Sequence, residues 1–110
     1  MPRLQIAPMS QNKAWQGRRF LTKEAKSYIE QVLWMLPAMK VPEGKLALKL
    51  VFYVSSKASD ADNLVKCFQD CLQKKYIFDD KRIYKLDIEK VDVKKGEEAI
   101  EFEINKLDVV

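Results

Sequence analysis

The sequence contains no histidine. That absence excludes Ser-His-Asp and Cys-His nucleophile systems, His-Glu-x-x-His zinc sites and any histidine general base. Chemistry in this chain must rest on carboxylate, lysine, tyrosine or metal-bound water. Thiols are scarce as well: only Cys67 and Cys71 are present, so an oxidising compartment is not suggested. No run of about twenty apolar residues exists to span a membrane. The opening Met1-Pro2-Arg3-Leu4-Gln5-Ile6 lacks the apolar core of a signal peptide. A cytoplasmic address is the expectation that remains. There is no low-complexity segment and no internal repeat.

What is present fits one domain over residues 1–110, large enough for a modest core without disulfides. Twenty basic residues against sixteen acidic ones leave a formal charge of +4. Lys13, Arg18, Arg19, Lys23 and Lys26 gather in one N-terminal stretch. Such a cluster suits a polyanionic partner; a merely soluble surface is the alternative.

Along the chain, Arg3 to Ala7 alternates and reads as a short strand. Pro8 to Gly17 reads as a loop. In it Trp15 either stacks on a base or anchors the loop on the core. Thr22 is a helix cap, followed by apolar residues at Ala25, Tyr28, Ile29, Val32, Leu33 and Leu36 until Pro37 stops the run. Trp34 and Met35 fall off that stripe and suit a second surface, such as a dimer contact. After a turn over Val41 to Gly44, Leu46 to Val54 alternates with both faces becoming apolar, the mark of a central strand. A second helix is expected to run to about Lys75, capped by Asp60 or Asp62, with Leu64, Cys67, Phe68, Cys71 and Leu72 buried. Tyr76-Ile77-Phe78 is expected to return to the core. Asp79 to Arg82 turns. Ile83 to Val93 reads as a strand with a bulge between Ile88 and Val91. Lys94 to Glu97 makes a hairpin turn into a half-exposed final strand through Ile100, Phe102 and Ile104. The expected fold is α/β (α+β): two layers, a mixed sheet of about four strands and two main helices.

The stretch that organises the rest is Ser59-Asp60-Ala61-Asp62-Asn63-Leu64-Val65-Lys66, with Asp70 and Asp79-Asp80 behind it. It begins just past a buried strand, where ligand sites of sheet proteins commonly lie. Asp62, Lys66 and Asp70 are spaced by four and share a helix face. Carboxylates at a helix start remain anionic and suit a hard cation. Mg²⁺ takes such oxygen ligands together with phosphate. Lys66 can then stabilise charge on a phosphodiester or assist its leaving oxygen. The plain alternatives are that Asp60 and Asp62 are caps, that the lysine forms exposed ion pairs worth about 0.3–0.5 kcal/mol each, and that Asp79-Asp80 is an ordinary turn. An EF-hand is excluded, because Leu64 fills a ligand position and Cys71 stands where the closing Glu belongs. Two thiols without histidine do not complete a zinc tetrahedron, so Cys67 and Cys71 read as core.

Asp60-Ala61-Asp62-Asn63-Leu64 with Lys66, then Asp70 and Leu72, Asp79-Asp80, Ile83 and Lys90, resembles the signature of RusA-type Holliday junction resolvases. Arg19-Phe20-Leu21-Thr22 and the helix after it are similar more loosely. The resemblance implies a homodimeric endonuclease of phages and prophages that needs Mg²⁺, or Mn²⁺ in its place, and nicks two strands of a four-way DNA junction symmetrically. It implies catalytic metal ligands at Asp60, Asp62 and Asp80 and a functional lysine at Lys66. Asp70, Asp79 and Asn63 become candidates to support those ligands. Lys13, Trp15, Arg18, Arg19 and Lys23 become candidates to hold DNA. Ala61 and Lys74-Lys75 depart from the family pattern without touching a ligand position. A twelve-residue helix is roughly 18 Å long, and five or six extended residues span a similar distance. Asp80 can therefore reach Asp60 and Asp62 in one chain only with little slack; a partner subunit's ligand is the other solution. A non-catalytic nucleic-acid-binding module built on the basic loop, and a dimerising structural protein, are the competing expectations.

Overall fold

A computed structural model describes residues 1–11, 15–16, 20–56 and 60–107. In chain order the elements are β1 (Arg3–Leu4), β2 (Trp15–Gln16), β3 (Phe20–Leu21), α1 (Lys23–Met35), β4 (Leu46–Val54), α2 (Ala61–Tyr76), a 3₁₀ turn (Asp80–Arg82), β5 (Ile83–Asp92) and β6 (Ala99–Lys106). The main sheet has the order β1-β6-β4-β5, and β2 pairs with β3 separately. The architecture is the expected mixed four-stranded sheet with two helices.

Thr22 starts α1 as its composition requires. The backbone there is extended, and its hydroxyl accepts the Ala25 N–H at 3.2 Å. Thr22→Ala should cost about 1 kcal/mol of stability, read as a lower urea midpoint with an unchanged denaturant slope. Ala25, Tyr28 and Val32 form the buried stripe, with Leu36 closing it. Trp34, 89 % exposed, and Met35, 39 % exposed, stay outside it.

Central β4 runs antiparallel to β6 and parallel to β5. Leu46, Leu48, Leu50, Phe52 and Val54 are buried on one face, and Val51 on the other. On β6, Ile100, Phe102 and Ile104 pair with Phe52, Leu50 and Leu48, so the two strands build one apolar surface. Phe68 of α2 is fully buried on it, edge-on to Phe52 at 6.3 Å and to Phe102 at 5.7 Å. The other face of the sheet sets polar side chains around the buried Val51 and Ala99. Arg3 lies 4.5 Å over the Tyr53 ring and 3.7 Å from Glu101, and the Tyr53 hydroxyl donates to Glu101.

Five expectations are corrected. The strand from Arg3 to Ala7 ends at Leu4, where the Ile6 N–H turns back to the Leu4 carbonyl. The loop from Pro8 to Gly17 contains β2, paired through Trp15 with Leu21. Two-residue strands are too short to leave an alternation in sequence. Ile77 does not return to the core. It caps α2 with a left-handed φ of 51° and is 88 % exposed. The irregularity in β5 falls opposite Leu46 and Ala47, not between Ile88 and Val91, where the register with β4 runs unbroken. The slipped alternation there reflects an edge strand with little burial on either face. Finally, Lys94 to Glu97 does turn, with Gly96 at φ +98°, but it closes no hairpin. β4 lies between β5 and β6, and β6 is an interior strand.

Candidate active site

Asp60 and Asp62 sit where α2 begins, beyond the Val54 end of β4. Asp60 occupies the N-cap position with extended backbone, but its side chain makes no capping hydrogen bond. Its carbonyl instead accepts the Asn63 N–H at 3.1 Å. The capping alternative therefore does not account for the Asp60 carboxylate. Asp62, in the first turn, is exposed beside it. One turn on, Lys66 reaches Asp70 at 3.9 Å, with both side chains more than half exposed. An exposed helix pair of this kind is worth about 0.3–0.5 kcal/mol. It orients the ammonium without removing it from solvent.

α2 is amphipathic because it packs on both the sheet and α1. Leu64, Val65, Phe68, Cys71 and Leu72 are buried. Val65 lies off the stripe read from sequence, and Cys67 is only half-buried. Burial pushes the Cys67 thiol up and the Cys71 thiol up to about 12. Neither is poised as a thiolate nucleophile. The Tyr76 hydroxyl donates to the Pro37 carbonyl at 2.7 Å and extends the helix one turn further than twelve residues would.

That extension decides where Asp80 lies. α2 has 16 residues, roughly 24 Å at 1.5 Å per residue. Only Ile77, Phe78 and Asp79 separate Tyr76 from Asp80, a reach of roughly 14 Å at most. Asp80 also leads directly into Ile83, which pairs with Leu46 at the opposite end of β4. Closure of Asp60, Asp62 and Asp80 within one chain does not occur. Among the described residues, no three His, Cys, Asp or Glu side chains lie together as a metal cluster.

The turn holding Asp80 is firmly built. Asp79 Oδ1 accepts the Lys81 N–H at 2.9 Å. That hydrogen bond holds the Asp79 carboxyl below its usual range. Its stabilising contribution is present above the ordinary aspartate pKa and is lost as pH falls through the lowered value. The Arg82 guanidinium donates to the Gly44 carbonyl at 3.0 Å and to the Pro42 carbonyl. Arg82 thus clamps the Asp80 turn to the turn before β4, a role that sequence reasoning missed because it depends on a contact 38 residues away. Lys90 pairs with Phe52, which places it on the helix-covered face towards the end where α2 begins.

Lys23 is exposed at the first position of α1. The remaining basic candidates, Lys13, Arg18 and Arg19, lie outside the described residues, as does the side chain of Trp15. Among the described residues, no helix is long and apolar enough to cross a membrane.

No curated protein matches the chain. The family model for endodeoxyribonuclease RusA matches residues 5–105 and so takes in both acidic turns, both helices and the main sheet from β4 to the penultimate residue of β6. On that match the chain belongs to the RusA endodeoxyribonuclease family.

Proposed function

We propose that the protein is a metal-dependent, structure-selective endonuclease that resolves four-way (Holliday) DNA junctions by paired, symmetric nicks, acting as a homodimer. The family match over residues 5–105 carries the reading. The donor set fits a hard ion. Asp60 and Asp62 offer exposed carboxylate oxygens at a helix start, and Asp60 is not consumed by capping. Oxygen donors without imidazole or thiolate suit Mg²⁺, with Mn²⁺ as substitute.

In this reading Asp60 and Asp62 hold the ion, and Asp80 completes the set from a second copy. When bound, such an ion acidifies water and offsets charge on the phosphodiester. Lys66, oriented by Asp70, stabilises the charge that builds on phosphate or protonates the leaving oxygen. Asn63 and Asp79 support the turns that carry the ligands. Lys13, Arg18, Arg19 and Lys23 hold the sugar–phosphate backbone, with Trp15 stacking on a base. Two equivalent scissile phosphates in a junction match the two equivalent sites of an isologous dimer.

One observation favours a second reading, a nucleic-acid-binding module without catalysis: no single chain groups three acidic side chains among the described residues. The two readings part in one assay. Purified protein with Mg²⁺ should nick a synthetic four-way junction at symmetric positions, spare linear duplex of the same sequence, and stop on chelation. Salt-sensitive binding with no nicking in Mg²⁺ or Mn²⁺ would establish the module and end the nuclease reading.

A further inference from the structure

β5 runs parallel to β4 and ends with Asp92 opposite Val54, while β6 starts with Ala99 opposite Tyr53. The turn between them therefore crosses over the Val54 end of β4, where the chain leaves for Asp60 and α2. It is tied down at that crossing. The Val93 N–H donates to the Val54 carbonyl at 2.8 Å, and the Ser55 hydroxyl donates to Glu98 Oε2 at 2.7 Å. Glu98 Oε1 accepts the Gly96 N–H at 2.7 Å. One carboxylate thus joins the turn to the first residue after β4. We propose that Lys94 and Lys95 on this turn hold the sugar–phosphate backbone of DNA beside the Asp60–Asp62 site, with Glu98 fixing the turn against the connection that leads to those carboxylates. The choice of DNA as the polyanion rests on the proposed function; the contact itself needs no catalysis.

Charge and exposure select these two lysines. Both are exposed, and among the described residues neither forms an ion pair. The Glu97 N–H donates to the Lys94 carbonyl at 3.0 Å, and Gly96 takes φ +98°, so the turn has a defined backbone shape. The Ser55 hydroxyl first, and the backbone N–H groups of Glu98 and Gly96 after it, hold the Glu98 carboxyl below its usual range, with Lys95 a smaller contributor. The charge of Glu98 is met mainly by this strut, which leaves the Lys95 ammonium for another anion. Asp92 and Glu97 flank the pair in sequence and confine the positive field to the two central residues.

Position gives the pair a use. Asp60 and Asp62 are exposed carboxylates, and they repel the phosphate they must receive. Cations at the same end of the sheet offset that repulsion and draw the backbone in. Ser55 lies five residues before Asp60, at most roughly 18 Å of chain. That distance is about five base steps along one DNA strand. A backbone gripped at the turn and a phosphodiester at Asp60 and Asp62 can therefore belong to one arm of a junction. Contacts of this kind fix register and orientation without reading bases, which suits an enzyme that selects a branched shape.

Binding of a four-way junction in chelator, measured across a salt series, tests the contact without turnover. Lys94→Ala/Lys95→Ala should weaken binding by about tenfold near 0.1 M salt, and the slope of log affinity against log salt should fall by about 1 to 2. Lys94→Arg/Lys95→Arg should stay within about threefold of wild type, because guanidinium also binds phosphate. Lys49→Ala/Lys106→Ala removes the same charge from exposed positions on the other face and at the Leu46 end of the sheet. It should cost less than about threefold, since exposed charges more than about 10 Å away are screened. With Glu98→Ala in the background, losing the two lysines should cost less than about threefold, because the freed turn no longer holds them in place. Unchanged binding by Lys94→Ala/Lys95→Ala, an equal loss in the Lys49 and Lys106 control, or a loss with the salt slope intact overturns the contact. A full tenfold cost in the Glu98→Ala background overturns the strut. A wild type that binds the junction but never nicks it in Mg²⁺ removes the nuclease reading, and the salt series then decides the contact alone. A wild type with no affinity for junction or duplex overturns the contact.

Discussion

Asp62→Asn is expected to lower Mg²⁺-dependent nicking of a four-way junction by about 100-fold or more, while junction binding in Ca²⁺ or chelator stays at least as tight as wild type. The magnitude follows from metal sites in general: losing a group that merely supports a ligand costs about 10–100-fold in affinity or activity, so losing a ligand should lie at or beyond the upper end. The substitution keeps the size of the side chain and removes its charge, which eases the approach of phosphate. Asp62 is exposed in the first turn of α2, and its replacement should leave the fold within about 0.5 kcal/mol. Measuring cutting and binding on the same junction separates a lost ligand from a lost protein. Equal cutting by the variant contradicts the role assigned to Asp62.

The largest expected effect on stability is at Phe68. Its ring is fully buried and meets Phe52 and Phe102 edge-on, at the meeting of helix and sheet. Phe68→Ala should cost about 3–5 kcal/mol, the lost transfer energy plus the cavity left between two rings held by separate strands. Set against roughly 5–15 kcal/mol of total stability, that should lower the thermal midpoint by more than about 10 °C. A loss under about 1 kcal/mol in urea unfolding would mean that the two phenylalanines do not form the centre of the core.

Sequence pattern revealed what depends on local periodicity. Alternation from Leu46 to Val54, apolar on both faces at its end, identified a central strand, and the structure places β4 between two neighbours. Thr22 before a 3.6-residue stripe identified the start of α1. Periodicity carries no information about which strand neighbours which. The glycine turn at Lys94 to Glu97 therefore suggested a hairpin, whereas β6 crosses to the far side of β4. The end of α2 was equally hidden. Tyr76 stays helical with its hydroxyl on Pro37, a contact 39 residues away, and Ile77 takes the left-handed cap that glycine usually fills.

The same limit applies to the site. Asp60, Asp62 and Lys66 lie within one helix start, so spacing alone placed them together. Asp80 depends on the length of α2 and on the parallel pairing of β5 with β4, both tertiary facts. The helix is one turn too long for closure within the chain. That turn separates Asp80 from its own chain's Asp60 and Asp62.

Binding of Mn²⁺ followed by its paramagnetic resonance signal reaches this point most directly, in the absence of DNA and of any turnover. The wild-type protein should take up the ion, and Asp62→Asn and Asp80→Asn, though altered at opposite ends of α2, should each weaken that uptake by at least about 10-fold. Uptake by both variants that matches the wild type would contradict a site built from these carboxylates.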